Sequence, residues 1–540
     1  MPRTRVCVDP REKSAMICVE TLQSKTHSRP KQSSISRPPQ YGHRSKRDVF
    51  PKSNQVLGPP KSSAEPLTSL PLAPGSFHTG TAMRLSDRAA RFFATSALAA
   101  RVYLGYKAIT VAEKRLGLKD ADERRSRHHT DSARRLYDLA IRRQGLLIKF
   151  GQIVGSRPDL IPDEYIAVLS RLQDRVPPRP FAVIKRRIER QLFMEGRPLG
   201  EVFVEFDEQP IAAASLAQVH RARLHDGREV AVKVQYPGIQ STVDNDLRNI
   251  RFLLRILARF ERNLDFTPLI EEISHNVPLE LDFINEGHNA EIIARNFEDR
   301  AHGRRSELGE DGGGRGWAPA QRGDIIVPRI VWEYSTRRVL VMEYLEGVKI
   351  TDLEGLHRQG TDPQAVAQLV IDAYCEQLYL HGMFHADPHP GNLFVQPGPK
   401  LIMLDFGLCR QLDDKFRLGY ARLVNAMLTW NIPNMIQGFL DLGVKVRKPQ
   451  DTAVYLELGR SFTEYGKEGR AYADPDIVAE ANQRMAKAVR ANPITDIPRE
   501  FLLIGRVVGL LSGLGAHLDS RVDMRQTIVP YTQAALEGAK

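Results

Sequence analysis

The sequence predicts an α+β fold in which a helical N-terminal stretch leads into a small antiparallel sheet and then a long helical remainder. Three observations carry this. Apolar residues recur at three-to-four spacing through SARRLYDLAIRRQGLLIKFGQIV and DEYIAVLSRLQDRV, the period of a helix. From Val202 the pattern shortens to alternating or β-branched runs, VFVEFDEQP, HRARL and REVAVKVQYP, as antiparallel strands require. After VLVMEYLEG the helical period returns and holds to the C-terminus except around residues 385–410.

Four segments result. Residues 1–82 mix Pro, Ser and basic residues with few large apolar groups, too little apolar surface to offset the cost of ordering, and read as a disordered tail or transit segment. Asp9, Glu12, Glu20, Asp48 and Glu65 fit a transit peptide poorly, and a start at Met83 explains the tail equally well. Residues 83–200 form a helical extension, interrupted at Pro177, Pro178 and Pro180 before the helix FAVIKRRIERQL. Residues 201–340 form a sheet lobe with its own helices, a Gly-rich loop insertion at 299–324, and the strands IIVPRIVWEY and RRVLVMEYLEG; residues 341–540 form a helical lobe.

The chain has 540 residues, with 77 Lys+Arg against 65 Asp+Glu and a net charge of +12. Residues 1–80 hold 13 of the basic and 5 of the acidic residues, so +8 sits in the tail and +4 in the remainder, which argues against a nucleic-acid-binding domain. Cys7, Cys18, Cys375 and Cys409 form no CxxC pair, so neither a disulfide framework nor a thiolate metal site is expected. Magnesium held by oxygen ligands remains open. No uninterrupted run of about 20 apolar residues marks a transmembrane helix. Residues 92–111, broken by Arg101 and Lys107, and residues 501–518, carrying Arg506 and His517, come near and read as buried core helices with a snorkelling Arg.

Four separated elements fit one another chemically. Lys233 ends the strand VAVK, Glu286 lies in the helix ELDFINEGHN, Asp387 and Asn392 stand five residues apart in HADPHPGN, and Asp405 opens Asp-Phe-Gly thirteen residues further on. Phosphoryl transfer from ATP needs these residue types in this order: a strand lysine paired with the α- and β-phosphates and a helix glutamate, an Asp-x4-Asn loop, and an Asp-Phe-Gly aspartate on Mg²⁺. Cations neutralise phosphate, and hard oxygen ligands suit Mg²⁺. ATP and Mg²⁺ are therefore the expected cofactors, with Asp387 as base or water-orienting group and Asn392 and Asp405 as metal ligands. Glu343 to Leu345 link the lobes and offer backbone groups to the adenine. His385 and His389 read as residues that orient the loop, and Cys409 as a packing residue.

The departures from a conventional protein kinase are as informative. Ala212-Ala213-Ala214-Ser215 stands where a GxGxxG loop would cover the phosphates. Small residues let N–H groups approach phosphate, but Ala resists positive φ, so a stiffer loop is expected, and Ala213→Gly or Ala214→Gly should alter nucleotide affinity. The catalytic loop reads His385-Ala386-Asp387, no APE follows, and CRQLDDKFRLGY runs straight into helical sequence, leaving no long segment to dock a peptide.

With KFGQ (Lys149 to Gln152), the Ala-rich loop, Glu280 and Asp282 of the ELD triplet, HADPHPGN and LDFG, the chain over about residues 130–520 closely resembles the UbiB family of atypical kinases, also called aarF-domain-containing kinases. That family is associated with coenzyme Q biosynthesis and with mitochondrial or plastid lipid metabolism. The resemblance implies a protein-kinase-like two-lobe fold, with a small antiparallel-sheet N-lobe, a helical C-lobe and a family-specific helical extension over the nucleotide site. It implies that Lys149 reaches into the site and contacts Glu280, and that Lys149, Gln152, Glu280 and Asp282 gate access. On its residues alone Lys149 reads as a solvated position of an amphipathic helix. Glu280 and Glu286 stand six residues apart, about 120° out of alignment on a helix, so one helix can address Lys149 and Lys233 in different directions.

The expected function is ATP hydrolysis or phosphorylation of a small lipid-like molecule in support of coenzyme Q or isoprenoid-lipid metabolism. The alternative is a membrane-associated, nucleotide-switched regulatory or lipid-extraction module without phosphoryl transfer. Expected partners are nucleotide, a prenylated or lipid-like molecule, a membrane surface and coenzyme Q biosynthetic proteins. The expected location is mitochondrial or plastid in a eukaryote and the cytosolic face of the inner membrane in a bacterium.

Overall fold

Helix α1 (Leu85–Leu116) packs along α2 (Ala121–Arg143) at the start of the described part of this computed structural model. That part comprises residues 85–116, 120–155, 162–172, 176–192, 198–260, 273–274, 277–303, 323–464 and 475–538. The tail expected over residues 1–82 lies outside it. The expected buried helix at 92–111 does not form as such: Phe93, Leu104 and Val111 are exposed, and Arg91 is the buried residue of α1. Apolar residues are spread around this helix rather than gathered in one stripe, so one neighbour covers only part of them.

Arg91 binds both carboxylate oxygens of Asp246, at 2.9 and 2.5 Å, and donates to the carbonyls of Arg143 and Gln144 at the end of α2. There the chain turns through two left-handed residues, Gln144 (φ 52°) and Gly145 (φ 70°), into α3 (Leu146–Gly155). A side chain at Gly145 would press on Thr242 at 3.0 Å, so both the conformation and the space call for glycine. Helix α3 is a wedge. Leu146 joins the core of the sheet lobe, whereas Leu147 and Ile148 join a separate small core with Leu169 and Leu172, and the next residue is Lys149.

Helices α4 (Asp163–Leu169) and α5 (Phe181–Leu192) complete the extension before strands β1 (Phe203–Phe206), β2 (Ala212–Ala213), β3 (Ala217–Leu224) and β4 (Glu229–Gln235). Helices α6 (Ile239–Phe260) and α7 (Phe283–Gly303), then β5 (Ile325–Ile326) and β6 (Val339–Glu343), follow. The lobe's antiparallel sheet runs β1-β3-β4-β6, with β2 paired to β3. Along β4 the two-residue period puts Val230, Val232 and Val234 into the lobe core and Ala231 and Lys233 on the opposite face.

Two expectations change here. IIVPRIVWEY is not one strand: Ile325–Ile326 pairs parallel with a strand of the other lobe, Pro328 has no N–H with which to continue a ladder, and beyond it Ile330 forms an isolated antiparallel bridge to Met342 of β6. Helix α7 also runs on to Gly303, past the expected loop boundary at 299, while residues 304–322 lie outside the described residues.

The helical lobe holds β7 (Val348–Lys349), α8 (Leu353–Arg358), α9 (Pro363–Cys375), β8 (Met383–His385), β9 (Leu393–Gln396), β10 (Lys400–Met403) and β11 (Cys409–Gln411). Beyond them come α10 (Asp414–Leu428), α11 (Ile432–Asp441), β12 (Lys445–Val446), α12 (Ala453–Glu464), α13 (Pro475–Ala491), β13 (Ile494–Asp496), α14 (Arg499–His517) and α15 (Met524–Glu537). The sheet β5-β10-β9-β7 and the pair β8–β11 present the loops that matter for chemistry. Helix α14 is not the expected buried helix: Ile504, Val507 and Leu514 are buried, whereas Leu502 is exposed and open space faces Gly505, Gly509 and Gly513. By length and composition α14 is apolar enough to cross a membrane.

Arg91→Met should cost about 3 kcal/mol of stability, since it leaves the buried Asp246 carboxylate uncompensated, and adding Asp246→Asn should recover part of the loss. Urea unfolding of the three proteins checks this; equal midpoints would show that the pair does not anchor α3.

Candidate active site

The site is assembled from charges that the two lobes and the extension each contribute. From β4, Lys233 Nζ lies 2.6 Å from Glu286 Oε1 on α7 and 3.2 Å from Asp405 Oδ1. Its ammonium also stands 5.2 Å over the Phe283 ring. Glu286 is 3% exposed and its second oxygen has no hydrogen-bond partner, so Lys233 is what compensates its charge. From α3, Lys149 Nζ lies 2.8 Å from Glu280 Oε1. The expected contact of Lys149 forms, and the solvated reading of that residue does not apply.

The remaining members of the gating set are used differently. Asp282 accepts from the N–H groups of Ile284 and Asn285 at 3.1 and 3.4 Å, so its carboxylate caps α7 and stands only 3.8 Å from Arg337. Gln152 donates to the Leu172 carbonyl at 2.9 Å and ties α3 to the turn after α4. Both residues support the helices that carry Lys149 and Glu286.

Asp387 and Asp405 are held by one histidine. The chain leaves α9 through a π-helical turn, Glu376–His381, whose Gln377 accepts the His385 N–H at 2.9 Å. Buried His385 donates from Nε2 to the Asp405 carbonyl at 2.7 Å, and its Nδ1 accepts the Asp387 N–H at 3.3 Å. Strand β8 pairs with β11, His385 opposite Cys409, which zips the loop after β8 to the Asp-Phe-Gly segment. His389 accepts from Gly391 N–H at 3.0 Å within the loop. The Asn392 carbonyl accepts from Leu404 N–H at 2.9 Å, which sets Asn392 and Asp405 at the same end of the β9–β10 ladder. Asp405 itself sits in the left-handed region at φ 60° and is 45% exposed, so one side of it faces the cleft.

Three further residues hold the site together, and the sequence pattern did not single them out for it. Arg506 Nη2, from α14, lies 3.0 Å from Asp387 Oδ1 rather than snorkelling to solvent. A lone arginine within the apolar run 501–518 was the available signal. Asn289 donates to the Phe406 carbonyl at 2.9 Å and anchors Asp-Phe-Gly to α7, and its place three residues after Glu286 on the same helix face was its signal. Arg91, described above, had no signal in the pattern.

The charges act on one another's ionisation. Burial would raise the Asp405 carboxyl, but Lys233 and then Lys149 outweigh it and hold it down at about 2. Burial likewise opposes ionisation of Asp387, and Arg506 and Lys149 keep it below the usual carboxylate range. Glu286 is pushed up to about 7 by burial against the pull of Lys233, and burial also raises Glu280 against Lys149. Burial disfavours the ammonium of Lys149, yet Glu280 and Asp387 keep it above its ordinary value.

The Ala-rich loop is a tight hairpin. Ala212 and Ala213 pair with Val219 and Gln218, the Ala214 N–H is taken by the Ala217 carbonyl at 2.8 Å, and Ser215 is buried. No residue from Ala212 to Ser215 has positive φ, so alanine suits this turn without strain. Glu343 ends β6, its carboxylate accepting from Arg329 N–H at 3.3 Å, and half-buried Leu345 lies in the strand-free link to β7.

A small antiparallel sheet over a helical lobe, with a strand lysine, a helix glutamate and two loop aspartates meeting between them, defines a protein-kinase-like protein. The ABC1 atypical kinase-like domain matches residues 171–438. AarF domain-containing protein kinase 1 of Xenopus tropicalis is 35% identical over 75% of this chain and 74% of its own length. The protein of the same name from Gallus gallus is 32% identical over 80% and 79%. Protein ACTIVITY OF BC1 COMPLEX KINASE 8, chloroplastic, of Arabidopsis thaliana is 33% identical over 71% of this chain and 51% of that one. The chain belongs to the ABC1/AarF, or UbiB, family of atypical kinases.

Because Asp405 is depressed to about 2 from its ordinary value of 3.8, its pairing contributes stability above about pH 4 that disappears as pH falls through about 2. Unfolding midpoints of the wild type and Asp405→Asn should therefore differ by a constant amount near neutrality and converge toward pH 2; a gap that persists at pH 2 would show that the ion pair is not its source. Lys233→Met should destabilise by about 3 kcal/mol by stranding Glu286, and Lys233→Met/Glu286→Leu should recover much of that, measured by denaturant unfolding.

Proposed function

We propose that this chain binds Mg–ATP between its lobes and either hydrolyses it or transfers its terminal phosphoryl group to a small, lipid-like molecule. The observation that carries the reading is the convergence of Lys233 on Glu286 and Asp405, at 2.6 and 3.2 Å, with Asp387 tied to Asp405 through His385. Glu286 fixes the lysine where it meets the α- and β-phosphates. Asp405, partly exposed and held ionised, and Asn392 beside it are hard oxygen donors, a set that fits Mg²⁺. Bound magnesium supplies charge neutralisation between the phosphates.

Asp387, kept ionised by Arg506 and Lys149, accepts the proton of an attacking hydroxyl or orients a water. The segment from Glu343 to Leu345 offers its backbone to the adenine, and the hairpin from Ala212 to Ser215 lies over the phosphates. The Lys149–Glu280 pair narrows access to the site, which favours a small acceptor over a peptide. A lipid-like acceptor and a role in coenzyme Q or isoprenoid-lipid metabolism rest on the family's association, and an organelle or membrane location rests on the same ground.

One observation favours the second reading, a membrane-associated module that nucleotide switches without phosphoryl transfer: the helix that reaches Asp387 is, among the described residues, the one long and apolar enough to cross a membrane. Mg–ATP at about 100 times its dissociation constant should stabilise the wild type by roughly 2.7 kcal/mol, seen as a melting shift, and Asp405→Asn should lose the shift. ADP release should accompany binding and fall about a hundredfold or more in Asp387→Asn, which keeps the melting shift. Binding without ADP release would select the switch module, and no metal-dependent shift at all would overturn both readings.

A further inference from the structure

Phosphoryl transfer needs positive charge at both ends of the triphosphate: at the bridging phosphates, where the leaving group develops charge, and at the terminal group being transferred. Lys233 is committed to the first task by Glu286 and Asp405. The second lacks a local candidate, because the residues between Asp387 and Asn392 are Pro388, His389, Pro390 and Gly391, with neither lysine nor arginine. Lys149 is held by Glu280. Lys149 also lies near enough to act on Asp387, but the cation in direct contact with that carboxylate is Arg506, which arrives from 119 residues further along the chain at 3.0 Å.

Its placement is built in. Helix α14 is fixed to the helical lobe by buried Ile504 and Val507 on either side of Arg506, and by Phe501, whose ring packs edge-on against Phe416 and Tyr420. The Arg506 side chain is 27% exposed and Asp387 21%, so the pair borders the cleft instead of lying sealed in the core. A guanidinium is planar and rich in donors, and can serve a carboxylate and a phosphoryl oxygen together where a lysine offers a single point of charge.

The geometry points to Arg506 as the catalytic cation that meets the terminal phosphoryl group of the nucleotide, delivered to the Asp387 loop from helix α14. This inference rests on the kinase reading above. In the step it serves, the acceptor oxygen bonds to the terminal phosphorus as the bond from that phosphorus to the ADP oxygen breaks. ADP leaves with the bonding electron pair, and the acceptor's proton passes to the Asp387 carboxylate. Arg506 stabilises the charge on the phosphoryl oxygens throughout and keeps Asp387 ionised to receive the proton.

Equilibrium titration separates this role from a structural one. Full-length wild type, Arg506→Gln and Arg506→Lys are titrated with Mg–ADP and with a non-hydrolysable Mg–ATP analogue, and thermal melts report whether each variant folds. Arg506→Gln should lose about tenfold or more in affinity for the triphosphate, the size of a lost hydrogen bond to a charged group, with ADP affinity unchanged within about twofold. Arg506→Lys should retain part of the discrimination, and keeps the test open if the glutamine variant does not fold. Parallel losses for both nucleotides, no loss for either, or tighter triphosphate binding would overturn the proposal while leaving the kinase reading intact. Wild type that binds neither nucleotide would overturn the kinase reading, and this inference with it.

Discussion

Four carboxylates and three cations gathered in one cleft, from the buried Glu286 to the half-exposed Asp405, set the terms for the rest of the molecule. Glu280, Glu286, Asp387 and Asp405 are each compensated by Lys149, Lys233 or Arg506, and a buried charge without its partner costs several kcal/mol. The three cations come from α3, β4 and α14, which lie far apart in the chain. The site therefore exists only when the helical extension, the sheet lobe and the C-terminal helices are all in place. Much of the apparent excess of scaffold around it is what brings those three charges to one cleft: the wedge of α3 between two cores, the Arg91–Asp246 clamp at its start, and the aromatic anchoring of Phe501.

Much of this was legible in the sequence, for identifiable physical reasons. A strand lysine announces itself because the two-residue period of VAVK alternates a core valine with a cleft residue. The spacing from Asp387 to Asn392 to Asp405 is equally legible, because a short loop and one hairpin leave little freedom in how those side chains meet. What failed to show were contacts that cross the chain without a local pattern. Arg506 looked like a charge at odds with its helix, since nothing nearby in sequence reveals a carboxylate 119 residues away. Arg91 was invisible for the same reason.

Where a motif was read as a block, the structure divided its labour. In the ELD triplet Glu280 turns to Lys149 while Asp282 caps the helix that carries Glu286. In KFGQ, Lys149 enters the site while Gln152 secures the helix behind it. The Ala-rich turn likewise proved a strand-paired hairpin with no residue at positive φ. In KFGQ successive residues of one helix point about 100° apart, whereas in ELD the helix expected to carry both glutamates breaks at Leu281 and Asp282, so Glu280 and Glu286 sit on separate helices.

The brevity of the connection after Asp-Phe-Gly bears on how such a protein is controlled. Strand β11 ends at Gln411 and α10 begins at Asp414, with Asp413 already spent on capping that helix through the Phe416 N–H at 2.7 Å. Kinases that are switched by phosphorylation keep a long, pliable stretch at this point, which gains order when a phosphate recruits arginines. Here the corresponding stretch has too few residues to have two states. The charge balance of this site is tied instead to the helices bearing Lys149 and Arg506, whose carboxylate partners Glu280 and Asp387 lie within it.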